Sequence, residues 1–331
     1  MLILSEADLR KLLPMRDVID AVERGFRAVA QGGTTLPQRL QMAVPGGVFL
    51  YMPAYASLAP VSDQVGPQDV AGIKIASVFA NNRHYILDVV QAAYLLLDGR
   101  TGVPLSLMDG RFLTALRTAA TSALATRWMA VPGNKRLGLF GAGVLAEFHA
   151  YAMSEVAEID KIAISSRTLE KAEELARRIK AALRIDCDVL PPDQVASTAD
   201  LICTCTTAST PVFAGNVVQE GTHINAVGAF TPDTRELDSY TVQRAIVVID
   251  ANEAAGSEAG DVLIPIAQGA ITKSHIRGTL GDLVSGKITG RDSPRDVTLF
   301  KSCGVAIEDL VTAHLAYLRA KREGLGLKID L

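Results

Sequence analysis

The glycines of Gly141-Ala-Gly143-Val-Leu-Ala146 follow the apolar run Arg136-Leu-Gly-Leu-Phe140 directly and lead into a stretch free of helix breakers. A lone Gly-x-Gly-x-x-Ala is a weak signal, but between a strand and a helix it is the turn on which a dinucleotide pyrophosphate rests. Gly141 permits the tight turn, Gly143 lets the backbone approach a phosphate, and Ala146 lets the helix pack closely. The helix start adds N–H groups and a positive dipole end for the anion. Gly141, Ala142, Gly143, Val144 and Leu145 are therefore the expected cofactor contacts. Two cations stand in equally unusual settings: Lys74 within Gly72-Ile-Lys-Ile-Ala76, and Arg117 within the Ala-rich block Leu113-Thr-Ala-Leu-Arg-Thr-Ala-Ala-Thr-Ser-Ala123. A charge in such surroundings needs an opposite charge, from a buried ion pair or from an anionic ligand. The residues alone leave both open.

The next strand, Lys161-Ile-Ala-Ile-Ser165, ends where NAD-specific sites carry an acid for the ribose 2′-hydroxyl, and this chain has Ser166, Arg167 and Thr168 instead. Hydroxyls and a guanidinium suit a 2′-phosphate, so NADP(H) is expected over NAD(H); a solvated Arg167 ahead of a helix is the alternative. Thr206 and Thr207 end one later strand and Val227 and Ala229 the next, where the nicotinamide half should run. Lys301 and Ser302 precede the closing helix and are expected at cofactor and substrate respectively. Asp233, Glu258 and Asp261 also follow strands, but turn and cap chemistry accounts for Asp233 and Asp261 equally well.

The elements that position these residues fall into two patterns. Residues 4–31 read as two helices, with Val18, Ile19, Val22, Phe26 and Val29 at helical spacing. From 36 to 107, short apolar or alternating runs separated by Pro and Gly read as an antiparallel sheet, and 113–130 as a helix closed by Pro132-Gly133. Between 135 and 250 strand and helix alternate, the rhythm of a parallel sheet covered on both faces. A last helix, near 304–322, is placed to return to the N-terminal region. The predicted fold is α/β: a Rossmann-type doubly wound parallel sheet, and a second α+β domain with a mainly antiparallel sheet.

Composition narrows the function classes. The 331 residues suit two domains, and 49% hydrophobic with 21% charged residues is globular usage. A net charge of −3 gives no reason to expect nucleic acid or an anionic membrane as partner. Cys187, Cys203, Cys205 and Cys303 lack metal-ligand spacing and read as inert thiols of a reducing cytoplasm. No metal site is expected. The first residues meet acidic groups at once, unlike a signal peptide, and no run reaches the ~18 apolar residues of a membrane span.

With these residues in view, the chain resembles the ornithine cyclodeaminase and mu-crystallin family. The similarity rests on Met52-Pro-Ala-Tyr55, Gly72-Ile-Lys74, the Leu113–Ala123 block, Gly141-Ala-Gly143, Ile224-Asn-Ala-Val-Gly-Ala229 with Pro232-Asp-Thr-Arg-Glu-Leu237, Glu258-Ala-Gly-Asp261 and Phe300-Lys-Ser302. The resemblance implies a Rossmann domain, 119–305, inserted in a domain of 1–118 and 306–331 that builds the substrate pocket and a homodimer interface. It implies a small amino or imino acid whose carboxylate is held by Arg39, in Pro37-Gln-Arg39, with Lys74 and Arg117. Arg117 and Thr118 are also expected beside the cofactor.

The departures from the family pattern select the reaction. Ornithine cyclodeaminases carry a Glu before the Met-Pro pair and an Asp after the Val-Gly segment; here those places hold Leu50 and Phe230. Neither can accept a proton from an ammonium. Mu-crystallin-like members and pyrroline-carboxylate reductases depart there too, and reduce cyclic imines with NADPH. The expected activity is reduction of 1-pyrroline-2-carboxylate or 1-piperideine-2-carboxylate to L-proline or L-pipecolate. Lys74 is the expected catalytic residue, as anchor or as proton donor through water, with Phe230 as an apolar wall. An alanine-type dehydrogenase, a cyclodeaminase and a non-catalytic protein that binds NADPH and a small ligand are the alternatives.

Overall fold

The computed structural model describes residues 1–58 and 68–330. They form two compact units, Met1–Thr118 with Val305–Leu331, and Ala119–Gly304.

In the first unit the order of strands is Leu327–Lys328, Leu2–Leu4, Pro104–Asp109, Val90–Asp98, Asp69–Phe79, Gly47–Ser57 and Thr34–Thr35, with Leu40–Val44 also paired to Gly47–Ser57. All its pairings are antiparallel except that of Leu2–Leu4 with Pro104–Asp109. The sheet expected over 36–107 is thus mixed at one edge, and its stretch 59–67 lies outside the described residues. Alternation along Asp69–Phe79 buries Val70, Gly72, Lys74 and Ala76 on one face. The helices Met15–Ala30 and Ala306–Glu323 pack on each other, and the latter also meets the strands carrying Met52, Lys74 and Tyr94. The apolar stripe of Met15–Ala30 buries Val18, Ile19, Val22 and Phe26.

The helix expected from 113 begins earlier, as Gly110–Met129, because the Asp109 carboxylate accepts the Phe112 N–H and starts it.

The second unit holds eight strands in the order Asp186–Val189, Ile159–Ser165, Lys135–Phe140, Leu201–Thr204, His223–Ala226, Val297–Lys301, Ala245–Ile249 and Ile276–Thr279. Every pairing is parallel. The order reverses between Lys135–Phe140 and Leu201–Thr204, the place where doubly wound sheets bind ligands. The strands Ile276–Thr279 and Val297–Lys301 lie beyond the region read as strand and helix. Each is a run of four or five residues, too short for periodicity to reveal.

Candidate active site

Lys74 lies in a cross-strand row. Met52 pairs with Lys74, Lys74 with Tyr94, and Tyr94 with Met108. Leu40 pairs with Tyr51, and Arg39 immediately precedes that strand. Leu50 pairs with Ala76 and sits one row along on the same face. An acid at that position would have stood near the lysine; the leucine supplies only an apolar surface.

Both misplaced cations close on one helix. Lys74 Nζ donates to Asp309 Oδ2 at 2.7 Å, and Arg117 Nε to Asp309 Oδ1 at 3.0 Å. Arg117 Nη1 donates to Glu308 Oε2 at 2.5 Å, while Glu308 Oε1 accepts the Val305 N–H at 2.9 Å. Each of the four carboxylate oxygens thus has a named donor, and these contacts among the described residues set two cations against two anions. Lys74 is 2% exposed, Arg117 4%, and the two acids not at all. Burial first, and then Arg117, pull the Lys74 ammonium down against the opposing Asp309 and Glu308, to about 8. Burial works against the Arg117 charge as well, but Asp309 and Glu308 outweigh it and raise the guanidinium above its ordinary value.

Tyr94 is fully buried beside this cluster. A Cβ on Gly72 would stand 2.3 Å from its hydroxyl, so the glycine of Gly72-Ile-Lys74 is what lets the ring lie there. Burial first, and then Asp309, push the Tyr94 phenol well above its usual range.

In the second unit Gly141 has φ +108°, a left-handed backbone, and a Cβ there would lie 2.7 Å from the Cys205 carbonyl. The loop after Lys135–Phe140 therefore crosses the loop after Leu201–Thr204 at a distance only glycine allows. At Gly143 a Cβ would meet nothing within 4 Å, and Gly143 is the N-cap of Val144–Ser154 without a side-chain cap. Open backbone at an uncapped helix start is the chemistry a pyrophosphate needs, so the residues fit a dinucleotide. Ser166 is half-buried and Arg167 and Thr168 exposed at the end of Ile159–Ser165.

The remaining expected residues rest on a buried scaffold. Glu236 accepts the Thr206 N–H at 2.6 Å, the Gly228 N–H at 2.7 Å and the Thr204 hydroxyl at 2.8 Å, tying two strand ends together. Burial lifts its carboxyl above the ordinary value, against the pull of Lys301. Lys301 is fully buried; its ammonium pairs with Asp261 at 2.9 Å and donates to the Ala229 carbonyl at 2.5 Å. It meets the wall expected to line the cofactor through Ala229. Asp261 also accepts the N–H groups of Glu236 and Leu237. The Ser302 hydroxyl donates to Asp250, which also takes the N–H groups of Cys303 and Gly304. Val227 is buried, Thr207 exposed, and Phe230, 40% exposed, follows the same loop. Asp233 accepts the Thr231 hydroxyl within its own turn, and Thr118 donates to the Thr114 carbonyl one helical turn back.

Sequence reasoning passed over Asp309, Glu308, Tyr94 and Glu236. The one available signal was the pair Glu308-Asp309 inside an otherwise apolar helix face. Among the described residues no group of His, Cys, Asp or Glu is placed to hold a metal ion, and no helix is long and apolar enough to cross a membrane.

Fold and site define an α/β protein of the dinucleotide-binding class, whose first unit holds a buried cluster of paired cations and acids. The family model for the ornithine cyclodeaminase/mu-crystallin family matches residues 1–324, and the chain belongs to that family. Delta(1)-pyrroline-2-carboxylate reductase of Bacillus cereus is 34% identical over 334 residues, covering 100% of both chains. Ketimine reductase mu-crystallin of Rattus norvegicus is 35% identical over 301 residues and 90% of each chain. The solved structure of Thermococcus litoralis Delta(1)-pyrroline-2-carboxylate reductase, in complex with NADH and L-proline, is 38% identical with a TM-score of 0.93, covering 99% of this chain and 100% of that one.

Proposed function

We propose that the protein is an NAD(P)H-dependent oxidoreductase that reduces the C=N bond of a cyclic α-imino acid, 1-pyrroline-2-carboxylate or 1-piperideine-2-carboxylate, to L-proline or L-pipecolate. The observation that carries this reading is the sharing of Asp309 by Lys74 and Arg117: two directed cations held ready in one buried cluster. Such a pair offers directed, charged donors to a carboxylate, whose own charge is matched by Arg39 or by the iminium of the same substrate. A reduced nicotinamide supplies the hydride when bound. The chain's own residues do the rest. Gly141, Ala142, Gly143, Val144 and Leu145 cradle the pyrophosphate, while Arg117 and Arg39 hold the carboxylate. Lys74 Nζ anchors the substrate or delivers a proton toward the ring nitrogen through water. An ammonium poised at about 8 suits either task near neutral pH. Leu50, with no acid in its place, supports reduction over cyclodeamination.

Two finer points belong to the same proposal. Ser166, Arg167 and Thr168 favour NADPH over NADH, by the charge-assisted bonds a guanidinium offers a 2′-phosphate. The exposed apolar side chains Leu40, Met42 and Ile75 of the first unit suit a homodimer contact. A cytoplasmic site of action goes with a pool of reduced nicotinamide.

The test is oxidation of NADPH and of NADH by the purified protein with each cyclic imine, with pyruvate plus ammonia, and with ornithine. Turnover of a cyclic imine that is lost in Lys74→Ala supports the assignment. Turnover only with pyruvate and ammonia, or wild-type imine reduction by Lys74→Ala, overturns it.

A further inference from the structure

We infer that Asp309 is a positioning residue: its two oxygens orient Lys74 Nζ and the Arg117 guanidinium and keep the lysine charged, with Glu308 assisting through Arg117. The kinetic form of this inference rests on the proposed imine reduction; its titration form does not.

Around Lys74, helix Ala306–Glu323 contributes Asp309 and Glu308, helix Gly110–Met129 contributes Arg117, and one neighbouring strand contributes Tyr94. On the other neighbouring strand the partner is uncharged Met52. Of these groups only Asp309 touches Lys74 Nζ, at 2.7 Å. Arg117 is a like charge, and the Tyr94 phenol is neutral. Without Asp309, the ammonium would face a guanidinium in a dry site, and both desolvation and repulsion would drive off its proton. The same carboxylate holds the second cation through its other oxygen, which fixes the mutual arrangement of Nζ and guanidinium. Lys301 and Asp261 make a useful contrast in the second unit, where the acid meets one cation and otherwise caps backbone N–H groups. A carboxylate divided between two cations does more than neutralise.

With burial and Arg117 pulling Lys74 down and Asp309 holding against them, the ammonium stands at about 8, which leaves little margin for loss of the acid. A lysine that loses its proton can neither bind a carboxylate as a cation nor donate to a ring nitrogen.

The experiment follows the titration of Lys74 directly, by NMR of protein carrying 13C at lysine Cε, the signal being identified by its absence in Lys74→Met. In Asp309→Asn the midpoint is expected to fall by roughly one to three pH units, the range for loss of an adjacent opposite charge. Glu308→Gln should lower it less, and Asp309→Glu should bring it back toward wild type. In parallel, the alkaline limb of kcat/KM for imine reduction should move to lower pH by the same amount in Asp309→Asn, a change that a purely structural role would not produce. Should Asp309→Asn not fold, the smaller downward shift in Glu308→Gln and the near-wild-type midpoint in Asp309→Glu carry the test. An unchanged Lys74 midpoint in whichever of Asp309→Asn or Glu308→Gln is folded overturns the inference. Absence of imine turnover by wild type, with the NMR shift present, removes the proposed function and leaves this inference standing.

Discussion

Removing the Arg117 guanidinium leaves a defined electrostatic deficit. Arg117 is 4% exposed, and Asp309 and Glu308 are fully buried, with Lys74 the other cation in direct contact with the pair. Arg117→Met keeps most of the side-chain volume but takes the guanidinium away from two buried carboxylates, leaving Asp309 its contact with Lys74. Breaking a buried pair by deleting one partner costs about 3–5 kcal/mol, because the remaining charge stays desolvated. Adding Glu308→Gln removes the surplus charge, so the double variant should recover part of that loss, with a coupling of about 1–3 kcal/mol. Urea unfolding of wild type, both single variants and the double variant, followed by circular dichroism at one pH, closes the cycle. An Arg117→Met midpoint equal to wild type, or a double variant weaker than wild type by the sum of the two single effects, would refute the reasoning. The first outcome would mean that the cluster is solvated in solution; the second, that the two side chains act independently.

Three further predictions concern other parts of the molecule. In Gly141→Ala the new Cβ meets the Cys205 carbonyl at 2.7 Å on a backbone with φ +108°, so NADH binding, read by cofactor fluorescence, should weaken by at least about tenfold. Arg167→Gln should weaken NADPH binding by about tenfold or more and leave NADH nearly unchanged; equal losses for both would remove the 2′-phosphate reading. Burial holds His149 down to about 4 and His223 down to about 3. The unfolded chain takes up these protons near 6.5, while the folded protein resists until lower pH. Stability present above 6.5 is therefore lost as pH falls through about 4, by roughly 3 kcal/mol for His149. His149→Gln should flatten the fall of the urea midpoint between pH 6.5 and 4, and an unaltered slope would show that His149 is not buried neutral.

The turn after Lys135–Phe140 was legible because its signal is local: glycines set between an apolar strand and a helix start, with Gly141 at φ +108°. Lys74 and Arg117 were legible as charges in apolar company. Their partners were not, because Asp309 lies 235 residues beyond Lys74, and two acids at a helix start look like ordinary dipole complement. Lys301 and Ser302 illustrate a second limit. Their place before the closing helix was readable, but not that the ammonium meets Asp261 and Ala229, or that the hydroxyl meets Asp250. The strand Val297–Lys301 shows a third: five residues between Asp296 and Ser302 carry no period, and only pairing with His223–Ala226 and Ala245–Ile249 makes them central. Tyr94 reads as one more aromatic in a sheet until the register sets it beside Lys74.

The position of helix Ala306–Glu323 in the chain also governs the order of biosynthesis. A ribosome releases the lysine and arginine of the cluster first, then the whole of Ala119–Gly304, and only afterwards the two acids that neutralise them. The intervening unit is contiguous and carries all eight of its own strands, so it can reach its native state while translation continues. The first unit matures last. A nascent chain halted near Gly304 would present an uncovered sheet face with two uncompensated cations to the chaperones that wait at the tunnel exit.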